Sequence, residues 1–255
     1  MAAARRVFIL LYAASGAAAL VYEVTWTRLL TLQLGHTVAA VSTVLAAFMG
    51  GLAFGAWIAG RRGVASLRAY AVLEIVVGVI ALLLPLALAG SVPLLAWAYA
   101  DGMAPARFAI VRVALSLLLV GLPASAMGAT FPIAAAWFAA GARDASSAAV
   151  LYAANTAGAA SGAIAAGFFL IPAIGLRGTT WVGVALNVVA AGGAWWLAAS
   201  TTVNAEHSET AEQSLAKKTG KTASTTISAE TAERAEKTAS RKRHKKSLRV
   251  QRALR

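Results

Sequence analysis

The chain has 255 residues, 59% of them hydrophobic, and a mean hydropathy of +0.70, more apolar than an ordinary water-soluble globule sustains. It carries a net charge of +13, and its lack of cysteine excludes disulfides, thiolate chemistry and cysteine-held metals. The charge has two origins: residues 1–200 hold ten arginines, no lysine and four acidic residues (Glu23, Glu74, Asp101, Asp144), whereas residues 201–255 hold thirteen Lys or Arg against six Glu. A balance divided in this way is not a nucleic-acid footprint, and no nucleic-acid partner is expected.

A spanning helix needs about 20 mostly apolar residues. Six stretches qualify, at roughly 7–27, 37–59, 69–90, 109–138, 148–172 and 179–199. The first begins behind Arg5 and Arg6, as a signal peptide does, but five further spans favour a transmembrane helix. Near its end Glu23 and Arg28 bracket Trp26, a pair that either meets water at the interface or faces the bundle. In the second span Gly51 and Gly55 form a GxxxG step. The third places Glu74 six residues beyond Arg68, about 9 Å deep at a rise of 1.5 Å per residue. A charge at mid-membrane costs about 2.5–3.5 kcal/mol on insertion scales, which makes Glu74 the leading candidate for a buried functional group. The stretch SVPLLAWAYA, 91–100, is expected to lie at the interface, where Trp97 and Tyr99 suit the headgroup region.

The fourth span is longer than one crossing and carries Pro123 and Pro132, so a kink or an early end is expected. Its Arg112 lies five residues beyond Arg107 and enters the bilayer from the other face. In the fifth, Gly158 and Gly162 form a second GxxxG step, extended by Ala166, and Asn155 stands among them. The Asn155 amide needs partners in hydrocarbon, so it faces the bundle and either pins two helices together or lines a cavity. With the N-terminus inside, Arg5, Arg6, Arg61, Arg62, Arg68, Arg143 and the tail share the cytoplasmic side, against Arg28, Arg107 and Arg177 opposite. Both termini are therefore expected in the cytoplasm.

From Thr201 the composition turns to Thr, Ser, Ala, Glu and Lys without an aromatic residue, a pattern that predicts a disordered tail. Glu230 with Arg234 and Glu233 with Lys237 are spaced to support a transient helix. The cluster Arg241, Lys242, Arg243, Lys245 and Lys246 is placed to contact anionic lipid. His36, His207 and His244 have no ligand spacing, and no nucleophile with a base and no phosphate loop is present, so no metal, cofactor or catalytic residue is assigned.

The stretches ALVYEVTWTRLLTLQLG (19–35), TVAAVSTVLAAFMGGLAFGAWIAGR (37–61), AYAVLEIVVGVIALLLP (69–85), MGATFP (127–132) and LYAANTAGAASGAIAAGFFLIPAIGLRGT (151–179) together resemble the membrane portion of bacterial fused major-facilitator and spermidine synthase proteins. The resemblance implies an all-α integral membrane fold of about six helices, like half a facilitator bundle, in residues 1–200, followed by the basic tail, 201–255. It also implies residence in a bacterial inner membrane. The 56 residues from Ser200 hold one glycine, Gly220, and no alternation of strands and helices, so the synthase half of that family has no counterpart in them. GAWIAGRRG, 55–63, keeps the glycines and arginines of the facilitator loop signature without its aspartate.

Three functions are compatible with this pattern. The first is a non-enzymatic membrane module that scaffolds or anchors, linked to polyamine metabolism and partnered by the lipid bilayer and by a separate synthase-like chain. The second is a facilitator-like transporter of a small cationic solute such as a polyamine, built as a homodimer around Glu23, Glu74, Arg112 and Asn155. The third is a truncated family member without activity.

Overall fold

The computed structural model describes residues 2–35, 37–140, 146–200, 234, 237 and 238, and the first three stretches are helical apart from short connections. Helix α1 spans Ala2–Leu34, α2 Val38–Arg62, α3 Leu67–Tyr99, α4 Pro105–Ser116, α5 Leu122–Ala140, α6 Ser146–Ile164 and α7 171–200. A π-helical turn at Leu117–Gly121 joins α4 to α5, and another at Ala165–Leu170 joins α6 to α7. Five helical runs are long and apolar enough to cross a membrane: Ala3–Gln33, Val38–Arg62, Leu67–Tyr99, Pro105–Ala139 and Ala148–Ser200. The lipid-facing character is visible outside the bundle as well, where Phe168, Phe169, Trp181, Val188 and Trp196 are exposed.

Local chemistry sets the boundaries. The Thr37 hydroxyl accepts from Ala40 N at 3.1 Å to start α2, and Ser66 does the same for Ala69 N at 3.3 Å to start α3. Gly63, with φ +60°, ends α2 in the left-handed conformation that a glycine adopts at little cost. Pro105 occupies the first turn of α4, where its missing N–H breaks no bond.

The backbone refines two of the expected boundaries. Residues 91–99 belong to α3, which continues through Pro93 to Tyr99, burying Ser91, Leu95 and Ala98 while Trp97 and Tyr99 stay exposed. Between the expected spans 148–172 and 179–199 the backbone stays largely helical, interrupted at Gly175, whose φ of +69° is left-handed. The expected kink in the fourth span takes the form of the π-helical turn at Leu117–Gly121. It lies just ahead of Pro123, which cannot donate to the carbonyl four residues before it. Pro172 stands in the same relation to the turn at Ala165–Leu170.

The core forms two layers. One gathers Phe8, Tyr12, Leu67, Tyr70, Phe138 and Leu197 at the end of the bundle that carries Arg5; the other gathers Tyr22, Trp26, Phe48, Leu84 and Val120 further along. Along the last run, Leu151 belongs to the first layer, Val184 packs on the second, and Ala191, Ala194 and Leu197 return to the first. The chain therefore doubles back within 146–200, with α6 and α7 running in opposite directions along α1.

Glycine permits the closest contacts. A Cβ on Gly55 would collide with the Ser125 carbonyl and one on Gly51 with the Gly121 carbonyl, while Gly128 of α5 meets the Leu52 carbonyl in return. The α1–α6 pair repeats the device, with Gly158 against the Ala13 carbonyl, Gly162 against that of Ala17 and Gly16 against that of Asn155. At such separations Cα–H groups face carbonyls directly, a weak attraction that hydrocarbon does not compete with. Gly55→Ala or Gly158→Ala is expected to lower stability in detergent by about 1–3 kcal/mol. Gly60→Ala, which meets nothing within 4 Å, is expected to stay within about 0.5 kcal/mol in the same melting experiment.

In the second unit, Ser200–Arg255, residues 234, 237 and 238 are helical and the Thr238 hydroxyl donates to the Arg234 carbonyl at 2.8 Å, whereas Glu230 and Glu233 of the expected i, i+4 pairs lie outside the described residues. The expected disorder of the tail and the cluster Arg241, Lys242, Arg243, Lys245 and Lys246 lie outside the described residues.

Candidate functional site

Three helices bring their polar side chains to one point. On α3 the inward stripe runs through Tyr70, Glu74, Val77, Gly78 and Ala81 at helical spacing, so the apolar register that buries the valine and alanine also buries the acid. Glu74 is 1% exposed. The Ser15 hydroxyl of α1 donates to Glu74 Oε1 at 2.5 Å, and the Asn187 amide of α7 donates to Glu74 Oε2 at 2.5 Å. Asn187 Oδ1 in turn accepts from the Tyr22 hydroxyl at 2.7 Å. The Tyr70 hydroxyl stands beside Glu74 and Ser15 without reaching hydrogen-bond geometry to either.

Small residues make room for this chain of bonds. Gly183, one turn before Asn187, lies against the Tyr22 ring where a Cβ would come within 2.6 Å of Cε1. Trp26 stacks on the same ring at a centroid separation of 5.1 Å. Both carboxylate oxygens thus have a donor, and the amide is used at its oxygen and its nitrogen. Enclosed in this way, the carboxyl crosslinks α1, α3 and α7. Among the described residues, Glu74 lines none of three grooves that open on the surface of the bundle.

The other candidates do not join Glu74. Glu23 is half-buried and Arg28 exposed, and both line one groove with Thr27, Thr31, Val24 and Val41. Arg112 lines a different groove of about 570 Å³ with Gln33, Tyr99 and Phe108, its guanidinium 5.9 Å from the centre of the Phe108 ring. Asn155 packs its backbone carbonyl and its side-chain oxygen on Gly16, and no hydrogen bond from its amide is found among the described residues. The interhelical pin expected of Asn155 is made by Asn187 instead. Gly51, Gly55, Gly158 and Gly162 all sit at helix contacts, as their spacing predicts. His36 lies outside the described residues, and among those described no group of three His, Asp or Glu side chains gathers as a metal site would require.

Sequence reasoning missed Asn187, Ser15 and Tyr22. Asn187 was legible, since WVGVALNVV is apolar except for that amide and an intramembrane asparagine needs partners as much as Asn155 does. Comparison with protein families, curated proteins and solved structures returned no match for this chain. Asn187→Ala leaves Glu74 Oε2 and the Tyr22 hydroxyl unsatisfied, and is expected to cost about 1–3 kcal/mol in thermal unfolding. Asn155→Ala is expected to cost no more than about 0.5 kcal/mol in the same assay.

Proposed function

We propose that the chain is a non-enzymatic, six-crossing membrane module that acts as a scaffold or anchor, of the kind found in the fused facilitator and spermidine synthase proteins that its sequence resembles. The observation that carries this reading is the enclosure of Glu74. An acid that couples transport to protons, or that binds a cationic solute, has to reach water in at least one state. Glu74 is instead sealed among three helices with both oxygens bonded within the protein. Its chemistry is that of a crosslink. A link to polyamine metabolism rests on the sequence resemblance and would be exercised through a synthase-like partner chain.

Six crossings, rather than one per helical run, are supported by the doubling back of the last run near Gly175. Supporting the orientation is the segregation of basic residues: Arg5, Arg6, Arg61, Arg62 and Arg68 flank one end of the bundle, which in a bacterial inner membrane would be the cytoplasmic end. Arginine–tryptophan pairs support the same reading, with Arg61 over Trp57 at 4.3 Å and Arg107 over Trp97 at 4.4 Å, an arrangement suited to the two interfaces. Because the chain has no cysteine, single substitutions report sidedness directly. Ala65→Cys is expected to label with an impermeant maleimide only from the cytoplasmic face, and Met103→Cys and Arg177→Cys only from the opposite face. Labelling of Arg177→Cys from the cytoplasm would exclude six crossings.

Reconstituted protein is expected to show no saturable spermidine uptake, and Glu74→Gln is expected to lower the melting temperature without changing solute flux. Uptake by the native chain that Glu74→Gln abolishes, in a variant that still folds, would replace the scaffold with the dimeric facilitator.

A further inference from the structure

The motif YEVTWTR, 22–28, is divided by the helix that carries it. Tyr22 and Trp26, one turn apart, point inward to the Asn187 bond and the aromatic stack. Glu23, Thr27 and Arg28 lie on the other side and line a groove of about 360 Å³ between α1 and α2, completed by Val24, Thr31 and Val41. The inward half is accounted for by packing. The outward half is not.

Glu23 and Arg28 share this groove without forming an ion pair, and among the described residues neither side chain has a hydrogen-bond partner. The Thr27 hydroxyl is buried with no hydrogen-bond partner, whereas the neighbouring Thr31 hydroxyl donates to the Arg28 carbonyl at 3.0 Å. An anionic acceptor, a cationic donor and an orphaned hydroxyl are thus held together with their bonding capacity unused. Helical rise places Glu23 about 27 Å along α1 from Arg5, close to the full hydrocarbon thickness of about 30 Å. The groove therefore opens at the level of the far headgroups, with Val24 and Val41 supplying apolar contact.

We propose that this groove binds a zwitterionic phosphoethanolamine group, its ammonium donating to Glu23 and its phosphate accepting from Arg28 and the Thr27 hydroxyl. A primary ammonium suits Glu23 because it offers N–H donors, which a quaternary choline lacks. The arginine fork suits a phosphate for the complementary reason. Such a group reaches the groove either as the headgroup of a phospholipid or as the free compound.

Native mass spectrometry of the full chain in detergent, titrated separately with dioleoyl phosphatidylethanolamine, phosphatidylcholine and phosphatidylglycerol, tests the assignment. The ethanolamine lipid is expected to bind about tenfold tighter than the choline lipid, the difference that charged hydrogen bonds provide. Glu23→Gln is expected to remove that preference, and Arg28→Gln to weaken the ethanolamine and glycerol lipids alike. Ser42→Ala, in a different groove, is expected to leave both unchanged. Val41→Trp fills the site from α2 without touching either charge, and is expected to block binding even if a charge variant folds poorly. Competition by free O-phosphoethanolamine would show that the headgroup alone suffices, whereas a preference that it does not disturb would assign the lipid as the source. Equal binding of the ethanolamine and choline lipids, or a preference that survives Glu23→Gln and Val41→Trp, would overturn the proposal.

Discussion

A carboxyl group enclosed by hydrocarbon and protein has to find its hydrogen bonds inside the fold, and this constraint organises the bundle. Glu74 can be where it is only because α1 brings Ser15 and α7 brings Asn187 to its two oxygens. The requirement reaches further out. Asn187 holds Tyr22, Tyr22 stacks on Trp26, and Gly183 leaves the space in which the ring lies. Removing any one member leaves the others buried and unsatisfied, so the network specifies one mutual placement of α1, α3 and α7. Its net contribution to stability is smaller than its contribution to uniqueness, since a bond between helices in a membrane is worth only about 0.6–2 kcal/mol.

Around that polar centre, two helix pairs are fixed by a different means. The α1–α6 and α2–α5 contacts rely on glycines that let a backbone carbonyl approach the opposing helix closely. Hydrocarbon offers these surfaces no hydrophobic reason to associate, so shape carries the contact. The division is consistent: specific bonds set where the inner helices stand, and small residues set how closely the outer ones approach.

Much of this was legible in the sequence. The apolar runs are long, the GxxxG steps at Gly51 and Gly158 have the right period, and both fell at real contacts. Glu74 stood out because a lone acid in an apolar run has few explanations other than a paired one. What could not be read was pairing at a distance, since the partners of Glu74 come from 59 residues before it and 113 residues after it. Asn155 and Asn187 look equivalent in sequence, and only the facing of each helix decides which one reaches the acid. The helical continuation through residues 91–99 was not legible, since a proline such as Pro93 disfavours a helix interior, yet α3 runs past it with Ser91, Leu95 and Ala98 buried.

The π-helical turns ahead of Pro123 and Pro172 have a bearing on how this chain can change in length. A π-helical turn holds one residue more than the α-helical backbone needs, so it acts as an insertion absorbed without ending the helix. Beyond Leu117–Gly121, the faces of α5 that carry Ser125 and Gly128 onto α2 are therefore presented with that extra residue already counted. Loss of a single residue within either turn would restore regular helix and leave the register of the following segment intact, whereas the same loss a few positions later would rotate every contact beyond it. The two proline-proximal segments are thus the places where the membrane domain tolerates a one-residue deletion, and the glycine contacts on either side are where it does not.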